Sequence, residues 1–273
     1  MRRLRGGALR DGPIHSHTMR SVLASRHVYR LGLAYEGTRF RGWAKQPGQR
    51  TVEGELERAL ATALRERVRL SVAGRTDAGV HALAQVASFH TTRNDVEPRR
   101  LRLTLNALLP HDVAVHGVAR AADDFDARAA RARTYRYRLW LPDFRPVFES
   151  AYVWDLRGAQ RLDREALDCC AAMLVGRRDF AALTPSARLY HTCVRAVTAA
   201  AWRDADDADE LVFEITGNAL LYNMVRVAVG SMVDVAQGRA TVEGFRAALE
   251  GGSRARMGRT APAHGLALAR VDY

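Results

Sequence analysis

Between His27 and Ala121 the apolar pattern switches back and forth between two periods, and that order restricts the fold more than any other feature of the chain. "HVYRLGLAY" alternates, setting Tyr29, Leu31 and Leu33 against Val28, Arg30 and Gly32, and stops at Glu36-Gly37. Alternation sends successive side chains to opposite faces of a strand. Over Thr51–Glu66, Val52, Leu56, Leu60 and Leu64 recur at helical spacing, with Thr51 placed to act as N-cap. Arg67–Ala73 alternates again, with Val68, Leu70 and Val72 expected inward, and "ALAQVASFH" follows as a further strand. Glu97–Pro110 reads as a helix that Pro110 stops, and "VAVHGVARA" as a strand. The result is β-α-β-β-α-β, an α+β unit with mostly antiparallel pairing.

A polar, irregular stretch around Ala121–Ala132 marks a boundary, dividing the chain into an N-terminal subdomain (27–121) and a C-terminal one (122–273). The second half runs in a comparable order. Arg133–Leu141 is a strand with Tyr135, Tyr137 and Leu139 on one face. Asp163–Gly176 is a helix capped by those two residues. "TCVRAVTAAAW" and "ELVFEITG" are strands joined by the acidic turn "RDADDAD". Asn218–Gly238 is a long helix, "TVEGFRAALEG" a short one, and "GLALARVDY" closes the chain as a strand. Residues 1–26 are basic without an apolar core, so they read as a disordered leader and not a secretory signal, with Met19 as an alternative start.

The 273 residues carry a formal net charge of +12, and Lys45 is the single lysine. Arginine reads phosphate through two parallel hydrogen bonds and stacks on bases, so a nucleic-acid partner is the leading inference. Cys169, Cys170 and Cys193 form no C-x-x-C and are odd in number, which argues against a disulfide framework and for a reducing cytoplasm. Histidine and cysteine spacing offers no structural zinc. Arg226 and Asp234 interrupt the longest apolar stretch too soon for a membrane span.

The stretch that could carry chemistry is "GRTDAGVHA", a polar loop between two strands. Gly74 and Gly79 would permit positive φ on either side of a reversal. Asp77 sits at its tip, and Arg75 could pair with the carboxylate and keep it ionised. An ionised carboxylate can act as nucleophile or general base. From pattern alone, Asp77 equally suits an Asx turn with Arg75 as a solvated charge.

That loop resembles the signature of the TruA family of tRNA pseudouridine synthases. Other stretches resemble the family in its order: "YEGTRFRGW" with "RTVEGELERAL", "LNALLPHDVAV", "FDAR…RTYRYRL", "NALLYNMVRVAVGSM" and "RTAPAHGLALARVDY". The resemblance spans Tyr29 to Tyr273. It implies the pseudouridine synthase fold: two related α/β subdomains of RRM or ferredoxin-like type, a mixed, mostly antiparallel sheet, and a central active-site cleft. It implies an isomerase that converts uridine to pseudouridine in the anticodon stem-loop of tRNA, expected at tRNA positions 38 to 40, with no cofactor. Asp77 matches the catalytic aspartate, thought to attack ribose C1′ or base C6, or to take a ribose proton. Tyr135 matches the active-site tyrosine, with Tyr137 left as packing. Arg226 matches the arginine that pairs with the aspartate, which puts the site between the halves. Arg75 is expected to fill the gap left by a flipped base or to hold a neighbouring phosphate. Arg99–Arg102, Arg131–Arg138 and Arg254–Arg259 are candidate tRNA contacts, and a homodimer is expected.

Ala44 departs from the family's usual Gln, Asn223 and Val227 from its common His and Asn, and the spacing before Tyr135 is one residue short. Three other readings compete. A non-catalytic RNA-binding protein on this scaffold would have lost Asp77 or Arg226, and both are present. A base methyltransferase would need a glycine-rich cofactor loop after a strand. An acid–base hydrolase would have to use Asp77 with His81, four residues away on one turn.

Overall fold

A computed structural model describes residues 27–157, 162–205 and 210–273; the leader at 1–26 and most of the acidic turn before Glu210 lie outside them. The first half holds β1 (His27–Tyr35), α1 (Val52–Leu64), β2 (Leu70–Val72), β3 (His81–Thr91), α2 (Pro98–Leu108) and β4 (Val113–Arg120). The second holds β5 (Ala132–Trp140), β6 (Trp154–Asp155), α3 (Arg164–Ala172), β7 (Gly176–Asp179), β8 (Val194–Asp204), β9 (Glu210–Gly217), α4 (Met224–Ala236), α5 (Val242–Glu250) and β10 (Leu266–Asp272). The α+β expectation is borne out.

All ten strands join one sheet in the order β4-β1-β3-β10-β5-β9-β8-β7, with β2 also on β3 and β6 on β5. With β6 and β7 left aside, the strands of each half stand in the order fourth-first-third-second, as β4-β1-β3-β2 and as β10-β5-β9-β8. Pairing is antiparallel except for β3–β10 and β5–β6. One edge of β3 serves two partners. Leu70–Val72 of β2 lie against Ala87–Phe89, and Ala267 and Leu268 of β10 run parallel to His81 and Ala82. The residues between β2 and β3 lie beside the gap that this leaves.

Local signals account for most elements. Thr51 Oγ1 accepts from the Gly54 amide, and Val52, Leu56, Leu60 and Leu64 of α1 are buried, as their spacing predicts. Glu97 caps α2 through the Arg99 and Arg100 amides. Asp163 caps α3 through the Ala166 amide, and Thr241 caps α5 through Gly244. Tyr29, Leu31, Leu33 and Phe89 pack with α1 in a core that continues through Tyr137, Phe180 and Phe213.

Three boundaries differ from the sequence reading. The strand expected over Arg67–Ala73 contracts to Leu70–Val72, and Leu70 and Val72 are only half-buried while Val68 is buried. This strand has one strand neighbour, β3, so only one of its edges is paired. The helix expected to end at Gly176 ends at Ala172; Leu174 enters the core, and Gly176, at φ +114°, opens β7. The helix expected from Asn218 begins at Met224. The Asn218 side-chain carbonyl accepts from the Ala196 and Ala219 amides, and Asn223 takes a left-handed conformation, φ 61°. Side-chain bonds of this kind compete with the helix and leave Asn218–Asn223 as a loop.

Candidate active site

Residues 73–80 form the loop that carries Asp77, and it is tied down from several sides. The Ala73 amide donates to Val86 O, and the Gln85 amide nitrogen donates to Gly74 O at 2.7 Å. Thr76 O accepts from the Trp43 amide, and the Gly79 amide donates to Phe40 O. The Thr76 hydroxyl lies 2.7 Å from the Tyr35 hydroxyl, which also accepts from Gln85. Gly79 has φ +78°, a conformation that favours glycine. Gly74 does not; there a side chain would crowd the Tyr135 hydroxyl, since an added Cβ would lie 3.3 Å from it. What Gly74 contributes here is room beside Tyr135 and not a positive φ.

A cavity of about 430 Å³ opens over this loop, with Arg75, Asp77, Tyr135, Tyr190, Tyr222 and Asn223 among its lining. Val80, Leu221, Met224 and Leu266 supply apolar wall. Arg226, in the first turn of α4, places Nη1 3.9 Å from Asp77 Oδ2. The two side chains are 18% and 20% exposed, so the pair is largely withdrawn from water. Arg226 Nε donates to Ala261 O and Nη1 to Asn223 Oδ1, at 2.8 and 2.9 Å. Asp77, Tyr135, Arg75 and Arg226 thus come together from a loop, a strand and a helix that are remote in sequence.

The two arginines expected near Asp77 divide. Its ion pair is with Arg226, the partner the resemblance implies; Arg75, which the loop alone offered, is exposed and makes no ion pair with it. Burial pushes the Asp77 carboxyl above the usual carboxylate range; the Arg226 charge and a hydrogen bond from the Asn223 backbone pull it down, without prevailing. Burial also raises Tyr135, with the nearby Tyr35 and Asp77 adding to it, so its phenol keeps its proton at neutral pH. Burial pushes Tyr35 up to about 12 against its hydrogen bonds with Thr76 and Gln85. Tyr137 is fully buried, donates to Pro262 O and meets Trp154 edge-on, which is the packing role expected of it.

His81 is committed elsewhere. Its Nδ1 accepts from the Gly37 amide, so Nε2 carries the proton and donates to His264 O; burial lowers its pKa. A hydrolase that uses this ring as base has no free nitrogen to use. The arginine clusters divide as well. Arg133 is buried and spends its guanidinium on the carbonyls of Ala73, Ala130, Arg128 and Asn218. Arg254 donates to Met257 O, Gly258 O and the Thr260 hydroxyl. These two are structural, so the clusters that contain them are not uniform RNA surfaces.

A family model for tRNA pseudouridine synthase matches residues 33–128 and 170–273. The chain belongs to the tRNA pseudouridine synthase family. The protein named tRNA pseudouridine synthase A from Solidesulfovibrio magneticus is 44% identical over 252 residues, 89% of this chain and 90% of its own length. Proteins of the same name from Shouchella clausii and Geotalea uraniireducens are 39% and 38% identical, across 88% and 89% of this chain and 91% and 98% of theirs. As a tRNA pseudouridine synthase by family, the chain is an enzyme of the isomerase class. The matched stretches contain Asp77, Arg75 and Arg226, while Tyr135 falls between them.

Several residues of the site were not read from the sequence. Gln85 and Arg133 each stand on the buried phase of an alternating strand, where a polar side chain must find partners; that break in the pattern was the available signal. Tyr190 and Tyr222 had none, since their meeting through the Tyr222 amide and the Tyr190 hydroxyl joins two loops.

Proposed function

We propose that this chain isomerises uridine to pseudouridine in the anticodon stem-loop of tRNA, at positions 38 to 40, with Asp77 as its catalytic group. The observation that carries this reading is the withdrawn Asp77–Arg226 pair, 3.9 Å apart beside Tyr135 in a cavity of about 430 Å³. The net charge of +12 supports a polyanionic substrate.

In the reaction the N1–C1′ glycosidic bond breaks, the uracil turns, and C5 bonds to C1′. The C5 proton leaves, N1 gains one, and there is no net redox change. Such chemistry needs the nucleotide out of its stack, at a cost of a few kcal/mol. Tyr135 offers a protonated phenol and an aromatic ring for the extruded base, and stacking of that kind contributes about 1–3 kcal/mol. Asp77 attacks C1′ or C6, or takes a ribose proton, and in each case acts as the carboxylate. Arg226 favours that ionised form. Arg75, exposed at the cavity, suits the gap in the stack or the adjoining phosphate.

Three further expectations belong to the same reading. The first is a division into units at 27–121 and 122–273, supported by the repeated strand order. The second is a homodimer, which the family resemblance implies. The third is a cytoplasmic site of action, consistent with three free cysteines.

The test is tritium release from tRNA bearing 5-³H-uridine, with wild type beside Asp77→Asn. Release by wild type alone supports both reaction and residue. Release by both removes Asp77 from the chemistry. Release by neither, with tRNA still bound, leaves a non-catalytic RNA-binding protein.

A further inference from the structure

Asn223 stands beside both members of the buried ion pair. It lines the same cavity as Asp77, where its backbone favours the ionised carboxylate, and its side-chain carbonyl accepts from Arg226 Nη1 at 2.9 Å. The same Nη1 stands 3.9 Å from Asp77 Oδ2, a full ångström beyond a charge-assisted hydrogen bond. The neutral amide therefore holds the closer contact with the guanidinium, and the carboxylate the more distant one. This depends on the backbone at Asn223, which is left-handed at φ 61° immediately before α4. Asn, Asp and His adopt that conformation far more readily than other side chains, and Gly without strain.

We propose that Asn223 is a positioning residue that sets the distance between Asp77 and Arg226, holding the guanidinium back from the carboxylate in the substrate-free enzyme. Asp77 is then less firmly neutralised than a closed pair would make it, and its carboxylate keeps a face free for substrate.

The groups around Asp77 are few among the described residues. Arg75 lies on its own loop, Tyr135 on β5, Arg226 on α4, and Tyr190 and Tyr222 on the loops that complete the cavity. His264, on the segment before β10, feels the Arg226 charge, but burial holds its pKa down in the first place. Asp77 is the one carboxyl among these groups, so its proton reports the Arg226 distance.

Two substitutions keep the left-handed backbone and move that proton in opposite directions. Asn223→Gly removes the amide carbonyl, so Arg226 can close on Asp77 and favour its ionised form. Asn223→Asp holds Arg226 more tightly and sets a second carboxylate beside the first, favouring the protonated form. The Asp77 titration is to be followed by ¹³C carboxyl NMR of the full chain without tRNA, the signal being identified by its loss in Asp77→Asn. Asn223→Gly should lower the midpoint by about one pH unit and Asn223→Asp should raise it by a similar amount. Unchanged midpoints, or shifts of the same sign in both variants, overturn the proposal, because damage to the loop has no reason to reverse sign.

The consequence for rate rests on the isomerase reading: the acid limb of single-turnover tritium release should move with the NMR midpoint in each variant. Opposite NMR shifts without any tritium release would leave Asn223's role standing and remove the reaction. Tritium release with static NMR midpoints would do the reverse.

Discussion

The Tyr35 hydroxyl lies 2.7 Å from the Thr76 hydroxyl, one residue before Asp77. Tyr35 is buried on β1 and Thr76 is buried in the Asp77 loop, so the contact links the first strand to that loop across 41 residues. Gln85, wholly buried on β3, joins both by donating to Tyr35 and to Gly74 O. Tyr35→Phe keeps the ring and strands the Thr76 hydroxyl and one Gln85 hydrogen bond. It should cost about 1–3 kcal/mol in denaturant unfolding and lower the single-turnover rate more than tRNA affinity. A variant with wild-type stability and rate would show that the network does not hold the loop.

Arg133 joins the same loop to two others. Its Nε donates to Ala73 O at 2.8 Å, and its terminal nitrogens serve Arg128, Ala130 and Asn218. Burial lowers its pKa from the usual guanidinium value, yet it remains charged, because that value is far above neutrality. Arg133→Met should leave four carbonyls short of donors and destabilise the protein by about 3 kcal/mol or more. Arg133→Lys should recover only part of this, because an ammonium lacks the planar fork. Equal stability of the lysine variant and wild type in urea melts would contradict the stapling role.

Asp77 makes a prediction in pH. Its folded-state pKa is raised, chiefly by burial, so the folded chain holds that proton more tightly than the unfolded chain. The stability tied to this proton is fully present below the unfolded value of about 3.9 and is lost as pH rises through the higher folded one. Asp77→Asn, neutral at every pH, should therefore gain on wild type in melting temperature as pH increases through that interval. Activity should run the opposite way, falling as pH drops through the raised value. Parallel stability curves for the two proteins would mean that the carboxyl is not perturbed.

With a net charge of +12, tRNA binding should be dominated by phosphate contacts. For several such contacts, affinity should fall on the order of a thousandfold between about 50 and 200 mM salt. Gel-shift titrations across that range measure the slope. A flat dependence would point to a partner other than a polyanion.

How much could be read beforehand depended on how local each feature is. α1 was legible because Thr51, Val52, Leu56, Leu60 and Leu64 declare cap and face within one short window. β1 and β5 were legible because alternation of apolar and polar residues reads as a strand, and β3 because its short apolar run follows a turn loop. The start of α4 was not: Asn218–Asn223 share the apolar composition of the helix, and only their contacts with Ala196 and Arg226 make them a loop. The end of α3 was hidden for a related reason, since Leu174 leaves the helix to fill the core.

The chain by itself determined most of its elements and their order, though not β6 or β7, its basic character and, through the resemblance, Asp77, Tyr135 and Arg226 as candidates, because period, charge and motif are properties of neighbours in sequence. The loop alone pointed to Arg75 and the resemblance to Arg226, and tertiary structure decided between them. Arg75, two residues away, stays exposed, while Arg226, 149 positions on, arrives at 3.9 Å. That distance follows from β10 entering beside β3 while the Ala261 amide, just ahead of β10, bonds Arg226 O on α4, and an ion pair forms where the fold excludes water, whatever the separation along the chain.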